Sequence, residues 1–234
     1  MGTSSSSERP AGGSAAAPRL LTTALILGLI AAGLALLVFS WLGRDISTGV
    51  TPGVDAALRD AIHQRASPGL TQVMIAASWY GGPTWLVPLG IVLAIGFLIK
   101  RWHRGAFLVL VTMAGAGLLN VTLKQSFART RPDAFFDYAL PASHSFPSGH
   151  AIFAASFFGG LAVLVSDRVE STALQVAIWV VALALILLVG MSRVYLGVHY
   201  PSDVFAGYAV AVFWVAGVAL GDRWASHRRR QRLR

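Results

Sequence analysis

The chain has no cysteine and little charge: of its 234 residues only 12% are Asp, Glu, Lys or Arg. Without cysteine there are no disulfides, zinc–cysteine sites, iron–sulfur clusters or thiol nucleophiles, and redox chemistry says nothing about the compartment. An ordinary globular domain carries about 25% charged residues. A chain with half that share, 55% hydrophobic residues and a mean hydropathy of +0.64 is not disordered, collagen-like or coiled-coil. It reads as an all-α membrane protein. Acidic residues are the scarcer sign, 10 against 19 Lys and Arg, giving a net charge of +9. Such a balance could suggest nucleic acid as a partner, but in a membrane chain the placement of the charges matters more than their sum.

What is present is a series of apolar runs. Met1 to Pro18, rich in Ser, Gly, Ala and Pro, has too little apolar surface to fold and reads as a disordered tail. Leu20 to Leu42 is 23 residues without a charge, enough at about 1.5 Å per residue to cross about 30 Å of hydrocarbon. It is too long for the apolar part of a signal peptide, and no small-x-small cleavage site closes it. Between residues 43 and 68, Val54, Ala57, Leu58, Ala61 and Ile62 fall on one helical face and Asp55, Arg59, Asp60 and Gln64 on the other. That pattern predicts a short helix lying on the membrane surface. Leu70 to Ile99 is apolar but interrupted at Gly81, Gly82 and Pro83, so the part from Thr84 to Ile99 is expected to span. Further runs cover Gly105 to Leu123, Ala151 to Val165, Ala173 to Met191 and Val204 to Leu220. The expected architecture is a polytopic bundle of six transmembrane helices over residues 19–221, with a basic tail over 222–234.

Six spans put both termini on one side. Twelve Lys and Arg fall on that side, Arg228 to Arg234 among them, against seven on the other, which together make the 19. By the excess of positive charge in cytoplasmic loops, the termini are expected in the cytoplasm. The basic tail then lies by anionic lipid headgroups and is read as a solvated flank rather than a nucleic-acid site. Trp41, Trp79, Trp85 and Trp102, near span ends, read as an interfacial belt.

Lys124, Arg131 and Arg193 oppose this charge bias at membrane depth, where ionisable residues are usually kept for function. They belong to three blocks that meet on the outer face: KQSFARTRP from Lys124 to Pro132, PSGH from Pro147 to His150, and SRVYLGVHYPSD from Ser192 to Asp203. Pro147 suits the first turn of a helix, so Ser148 and Gly149 would present free backbone N–H groups at a helix N-terminus, a ready anion site. Lys124, Arg131 and Arg193 add positive charge, with guanidiniums shaped to grip phosphate oxygens. Charge alone would hold a phosphoryl group, with no metal and no cofactor: a metal hydrolase needs clustered carboxylates, and this face offers few. His199 and Asp203 are four residues apart. A carboxylate that accepts the Nδ1 proton leaves Nε2 free as a nucleophile. His150 is placed to protonate a leaving oxygen and then to deprotonate water. Asn120, one turn before Lys124, could bond the lysine or bridge helices. Asp133, Asp137 and His144 read as solvated loop residues, and His63, His103 and His227 have no assigned role.

The pattern K-x6-RP, PSGH and SR-x5-H-x3-D resembles the three-part signature of the type 2 phosphatidic acid phosphatase family, which shares its site with the vanadium haloperoxidases. All three blocks match in order over residues 124 to 203, and Arg129 and Tyr195-Leu196-Gly197 add to the likeness. The resemblance implies a phosphohistidine intermediate on His199, Asp203 as its orienting partner and His150 as general acid and base. It implies phosphate binding by Lys124, Arg131, Ser148, Gly149 and Arg193. The substrate would be a membrane lipid phosphate reached sideways from the bilayer, undecaprenyl diphosphate first, phosphatidylglycerophosphate or phosphatidic acid as alternatives. A phosphotransferase using the same residues, a vanadate-dependent haloperoxidase and a non-enzymatic transporter or scaffold are the other readings. The lipid tail and the oligomeric state stay open.

Overall fold

The structure is a computed structural model that describes residues 16–48 and 52–232. The tail expected over Met1 to Pro18 lies, as far as residue 15, outside the described residues. The helices in chain order are α1 (Ala16–Thr48), α2 (Pro52–His63), α3 (Pro68–Tyr80), α4 (Pro83–Ile99) and α5 (His103–Phe127). A loop then leads to α6 (Gly149–Ala154), a π-helical turn (Ala155–Gly159) and α7 (Gly160–Ser166), followed by α8 (Thr172–Tyr195) and α9 (Pro201–Arg232). Among the described residues there is no strand.

Among the described residues, five helical stretches are long and apolar enough to cross a membrane: Ile26–Thr48, His103–Phe127, Gly149–Ser166, Thr172–Tyr195 and Pro201–Arg229. A bent pair, α3 and α4, set at 49° to each other, meets the same measure when taken together. The span expected over Thr84 to Ile99 corresponds to α4, whose 17 residues extend only about 25 Å at the helical rise. That is short of a hydrocarbon layer of roughly 30 Å, and α3 continues the apolar stretch across the bend. Local chemistry sets the break. Ser67 caps α3 through its Oγ, which accepts the Leu70 N–H at 3.4 Å, and Pro68 fills the first turn. Gly81 and Gly82 end that helix, and Pro83 opens the next.

The core is small and tightly drawn. Leu86, Val109, Met113, Ile152, Phe153, Phe157, Val189 and Val210 form its apolar centre, contributed by α4, α5, the Gly149–Ser166 run, α8 and α9. Ala116, Ala151, Ala154 and Ala206 are fully buried and let the backbones approach closely, as small residues do in membrane bundles. α1 packs along α9. The basic run from Arg228 onward is continuous with α9 as far as Arg232. At that end of the bundle Arg104 pairs with Asp222, and Arg168 sits 4.0 Å above the half-buried Trp102 ring. Trp102 is therefore packed under a cation, whereas Trp41, Trp79 and Trp85 are exposed.

α2 forms as expected, but its two faces are used differently from a simple surface helix. Val54 and Leu58 are exposed, while Asp55, placed by the periodicity on the solvated face, is buried against α9. Arg59 also turns to the protein, donating to the Asp133 carbonyl at 2.5 Å. Ile62 of the apolar face still packs on the core beside Val194 and Tyr195, while Asp60 and Gln64 are exposed, so Asp55 and Arg59 dock as two residues of the charged face.

Gly115 on α5 sits under the Trp214 ring, which donates through Nε1 to the Thr112 carbonyl at 3.0 Å. A methyl group there would collide with the indole. Gly115→Ala is expected to destabilise the detergent-solubilised protein by about 1–3 kcal/mol, the usual effect of overpacking, read as a lowered thermal midpoint. Gly96→Ala, which meets nothing within 4 Å, should leave the midpoint unchanged or raise it.

Candidate active site

The three blocks converge at one end of the bundle on one buried residue, whose carboxylate takes donors from the first and third and whose backbone carbonyl takes one from the second. Asp203, in the first turn of α9, is completely buried. Its Oδ2 accepts the Tyr200 N–H at 2.9 Å, the His199 Nδ1–H at 3.2 Å and the Ser145 hydroxyl. Its Oδ1 accepts from Arg129 Nη1 at 2.6 Å. The Asp203 backbone carbonyl in turn accepts the Ser148 N–H at 2.9 Å, tying the start of α6 to the start of α9.

His199 is almost fully buried, and its tautomer follows from its neighbours. Arginine carries only donors, so the 2.9 Å contact between Arg131 Nη1 and His199 Nε2 makes Nε2 the acceptor and leaves the proton on Nδ1, toward Asp203. Burial is the largest influence on the ring and pushes it down to about 3; the Asp203 hydrogen bond and charge oppose this, while Arg131 and Arg193 add to it. The ring is neutral at physiological pH with its lone pair directed outward from the carboxylate.

Four cations surround this pair. All five N–H groups of Arg131 are engaged: Nε with the Ser143 carbonyl, Nη1 with the Val198 carbonyl and His199, and Nη2 with Ser143 Oγ and the His144 carbonyl. Burial and the nearby Arg193 lower its guanidinium to about 10, so it remains charged at neutral pH. Lys124 Nζ also donates to the His144 carbonyl. Arg193, 1% exposed, donates through Nη1 to Ser78 Oγ on α3, and its Nε has no partner among the described residues. Tyr138 closes this corner, with its hydroxyl 3.2 Å from Ser78 Oγ and its ring 5.7 Å from the Arg193 guanidinium. Arg129 lies between Asp203 and Asp55, 2.9 Å from the latter. Burial disfavours its charge, but the two carboxylates outweigh that and raise its pKa.

PSGH differs from its expected geometry in two respects. Pro147 precedes the helix instead of occupying its first turn; Ser148 is the N-cap and Gly149 the first helical residue. The proline at a helix start is Pro201, which opens α9. The Ser148 N–H, expected to be free, is taken by the Asp203 carbonyl, while Ser148 Oγ is buried without a partner among the described residues. Gly149 lies against Asn120: a Cβ on the glycine would sit 2.8 Å from Asn120 Oδ1, another buried atom without a partner. Asn120 thus touches the PSGH turn, and the lysine bonds elsewhere. The His150 ring rests on the bend between α3 and α4, its Nε2 2.8 Å from where a Cβ on Gly82 would lie. The third block turns at Gly197, whose φ of +74° suits glycine and whose missing side chain admits the Phe135 backbone.

The site therefore gathers His199, Asp203, Arg131, Arg193, Lys124, Ser148, Gly149 and His150 at one end of the bundle. Five participants carried no signal of their own in the sequence: Asp55, Ser78, Tyr138, Ser145 and Ser202. Asp133, Asp137 and His144 have exposed side chains, as expected. The converging groups are cations and hydroxyls, a set suited to an anion. Among the described residues no three His, Asp or Glu side chains are grouped to hold a metal ion.

The PAP2 superfamily model matches residues 105–226. The chain is 32% identical over 177 residues to phosphatidylglycerophosphatase B of Bacillus subtilis, covering 75% of this chain and 87% of that protein. It is 34% identical over 154 residues to lipid A 1-phosphatase of Rhizobium etli, covering 56% of this chain and 62% of the relative. It is 28% identical over 169 residues to undecaprenyl-diphosphatase of Sulfolobus acidocaldarius, covering 70% and 76%. The crystal structure of a transmembrane PAP2-type phosphatidylglycerolphosphate phosphatase from Bacillus subtilis superposes with a TM-score of 0.75 at 30% identity, covering 82% of this chain and 95% of that one.

The depressed His199 pKa has a consequence with a definite sign. The unfolded ring protonates near 6.5 and the folded ring near 3. The stability that this difference confers is complete above about pH 6.5 and fades as pH falls toward 3. In protein labelled with 15N-histidine, the His199 signals should stay those of a neutral, Nδ1-protonated ring from pH 8 to about pH 5. A titration midpoint between 6 and 7 would contradict the burial argument.

Proposed function

This chain belongs to the PAP2 superfamily, in its membrane lipid phosphatase branch, and from that premise we propose that it cleaves a lipid phosphate through a phosphohistidine intermediate on His199. The observation that carries the mechanism is the state of His199: Nδ1 is committed to a buried carboxylate, and the Nε2 lone pair, on the opposite edge of the ring, accepts an N–H from Arg131. Buried polar atoms without partners are uncommon, and Arg193 Nε and Ser148 Oγ are two of them. Both belong to blocks whose charge and hydroxyl groups suit phosphate oxygens.

In the proposed reaction the Nε2 lone pair attacks phosphorus, the bond to the lipid oxygen breaks, and His150 gives that oxygen a proton. Water then attacks the phosphohistidine, His150 takes a proton from it, and the P–N bond breaks to release phosphate. Asp203 accepts the Nδ1 proton throughout and steadies the positive charge that His199 acquires. Lys124, Arg131, Arg193, Ser148 and Gly149 bind the phosphoryl oxygens. For Nε2 to attack, the Arg131 N–H must pass from the ring nitrogen to a phosphate oxygen, so one guanidinium would both hold the nucleophile and receive the substrate. The excess of Lys and Arg on the side of the termini supports cytoplasmic termini and an outward-facing site.

Two substrates stand first. Undecaprenyl diphosphate fits a site at helix ends that a long apolar tail reaches from the bilayer. Phosphatidylglycerophosphate fits it equally and is favoured by the likeness to the Bacillus phosphatidylglycerophosphatase, which is matched over most of its length.

Detergent-purified protein in EDTA is expected to release phosphate from at least one of undecaprenyl diphosphate, phosphatidylglycerophosphate, phosphatidic acid and lipid A 1-phosphate. His199→Ala should lower that rate by about a thousandfold or more, as loss of a nucleophile does. Equal rates in the two proteins would overturn the phosphohistidine mechanism. Transfer to a lipid acceptor without free phosphate would replace hydrolysis by phosphotransfer.

A further inference from the structure

Asp55 lies outside the three blocks and outside the residues matched by the family model, yet it is 2% exposed and bonded on both oxygens. Oδ1 accepts the Ser202 N–H at 3.0 Å; Oδ2 accepts the Ser202 hydroxyl at 2.5 Å and Arg129 Nη2 at 2.9 Å. Arg129 passes the contact on. Its Nη1 reaches Asp203 Oδ1 at 2.6 Å and Ser202 Oγ at 2.8 Å, and its plane rests 4.0 Å over the Tyr200 ring. One guanidinium is thus clamped between two carboxylates, and the second of them holds the His199 Nδ1–H on its other oxygen.

A residue that served only to dock α2 would need no such route. Ser202 alone gives Asp55 two hydrogen bonds, and the helix has further anchors in Arg59, bonded to the Asp133 carbonyl, and in His63, stacked on Phe135 at 3.8 Å. What the Arg129 contact adds is direction. With Nη2 held, Nη1 meets Asp203 Oδ1 in one orientation, which, together with the Tyr200 N–H and the Ser145 hydroxyl on Oδ2, sets the rotation of the carboxylate and hence the oxygen offered to His199. Without Asp55, the guanidinium keeps only its Nη1 contacts and the Tyr200 face, and the Oδ1 side of Asp203 is held less firmly.

We propose that Asp55 is a positioning residue for His199, acting through Arg129 and Asp203, so that α2 carries part of the active site. The proposal rests on His199 as the nucleophile. It follows that a helix whose apolar residues Val54 and Leu58 face outward contributes its charged face to the chemistry.

Asp55→Asn keeps the shape and an oxygen to accept the Ser202 N–H, and puts an uncharged NH2 donor, to which the Ser202 hydroxyl can turn as acceptor, where the charged oxygen held Arg129. It should lower kcat by about tenfold to a hundredfold, the range for a displaced supporting shell, and change KM by less than about threefold. Asp55→Glu should recover part of the loss. In an Arg129→Ala background the Asp55→Asn change should alter kcat by less than about twofold, because the two act in series. NMR of 15N-histidine-labelled protein gives a readout without turnover: the His199 Nδ1 signal should move in Asp55→Asn, while His63, on the same helix, stays where it is. Unchanged kcat, multiplying effects of the two substitutions, or His63 and His199 moving together through undocking of α2 would each overturn the proposal. If the unsubstituted protein releases no phosphate from any lipid, the hydrolase reading fails, and the His199 shift still decides whether Asp55 positions the ring.

Discussion

The buried charge of Asp203 is the constraint from which the rest of the site follows. A carboxylate taken out of water costs several kcal/mol unless hydrogen bonds and opposite charge replace the solvent. Here four groups do so, supplied by Arg129 and Ser145 from the loop after α5 and by His199 and Tyr200 from the turn before α9. The Asp203 carbonyl also takes the Ser148 N–H from the start of α6. Segments up to 74 residues apart in sequence are therefore drawn to one point by one side chain. Apolar anchors hold the same loops in place: Phe146 is buried against Leu42 and Ala206, and Leu196 and Val198 pack with Met74 and Tyr195.

The surrounding charges do not balance, and that imbalance is where stability and activity part. Asp203 and Asp55 are compensated by Arg129, which both of them hold. Arg193 is as deeply buried as Asp203 but has no carboxylate partner; it has a serine hydroxyl and the face of Tyr138. Arg131 and Lys124 are satisfied by backbone carbonyls, two of the contacts falling on the single carbonyl of His144. Neutral acceptors answer the directional demand of a cation and leave its field in place. A cluster of this kind is costly to assemble for the fold alone and is suited to a ligand that brings two negative charges.

Much of this could be read directly from the sequence. Long apolar runs mark helices whatever their neighbours, and the break at Gly81 to Pro83 announced itself because glycine and proline act locally. The residues of the three blocks were legible for a related reason, since spacings such as His199 to Asp203 lie within one helical turn. What escaped was set by distance. Ser78 reads as a stray polar residue in an apolar run until α8 brings Arg193, 115 positions later, against it. Asp55 was assigned to a solvated face because periodicity divides a helix into two faces without knowing which one meets the protein, and its partner Ser202 is 147 positions away. The π-helical turn at Ala155 to Gly159 has no counterpart in hydrophobic periodicity either.

The bend between α3 and α4 shows why the site must be built at helix ends. Ser78 and Gly82, four residues apart, fall on one side of this stretch. α3 presents Ser78 to the arginine, and the 49° break presents Gly82 to the imidazole. Gly81 must be bare for the same reason, since Val189 of α8 occupies the space a side chain would need. The interruption that makes this stretch a poor span by composition is thus what lets a membrane helix furnish a polar wall. The adjoining loop 128–148 is tied to the same site, because Arg131 and Lys124 donate to its Ser143 and His144 carbonyls.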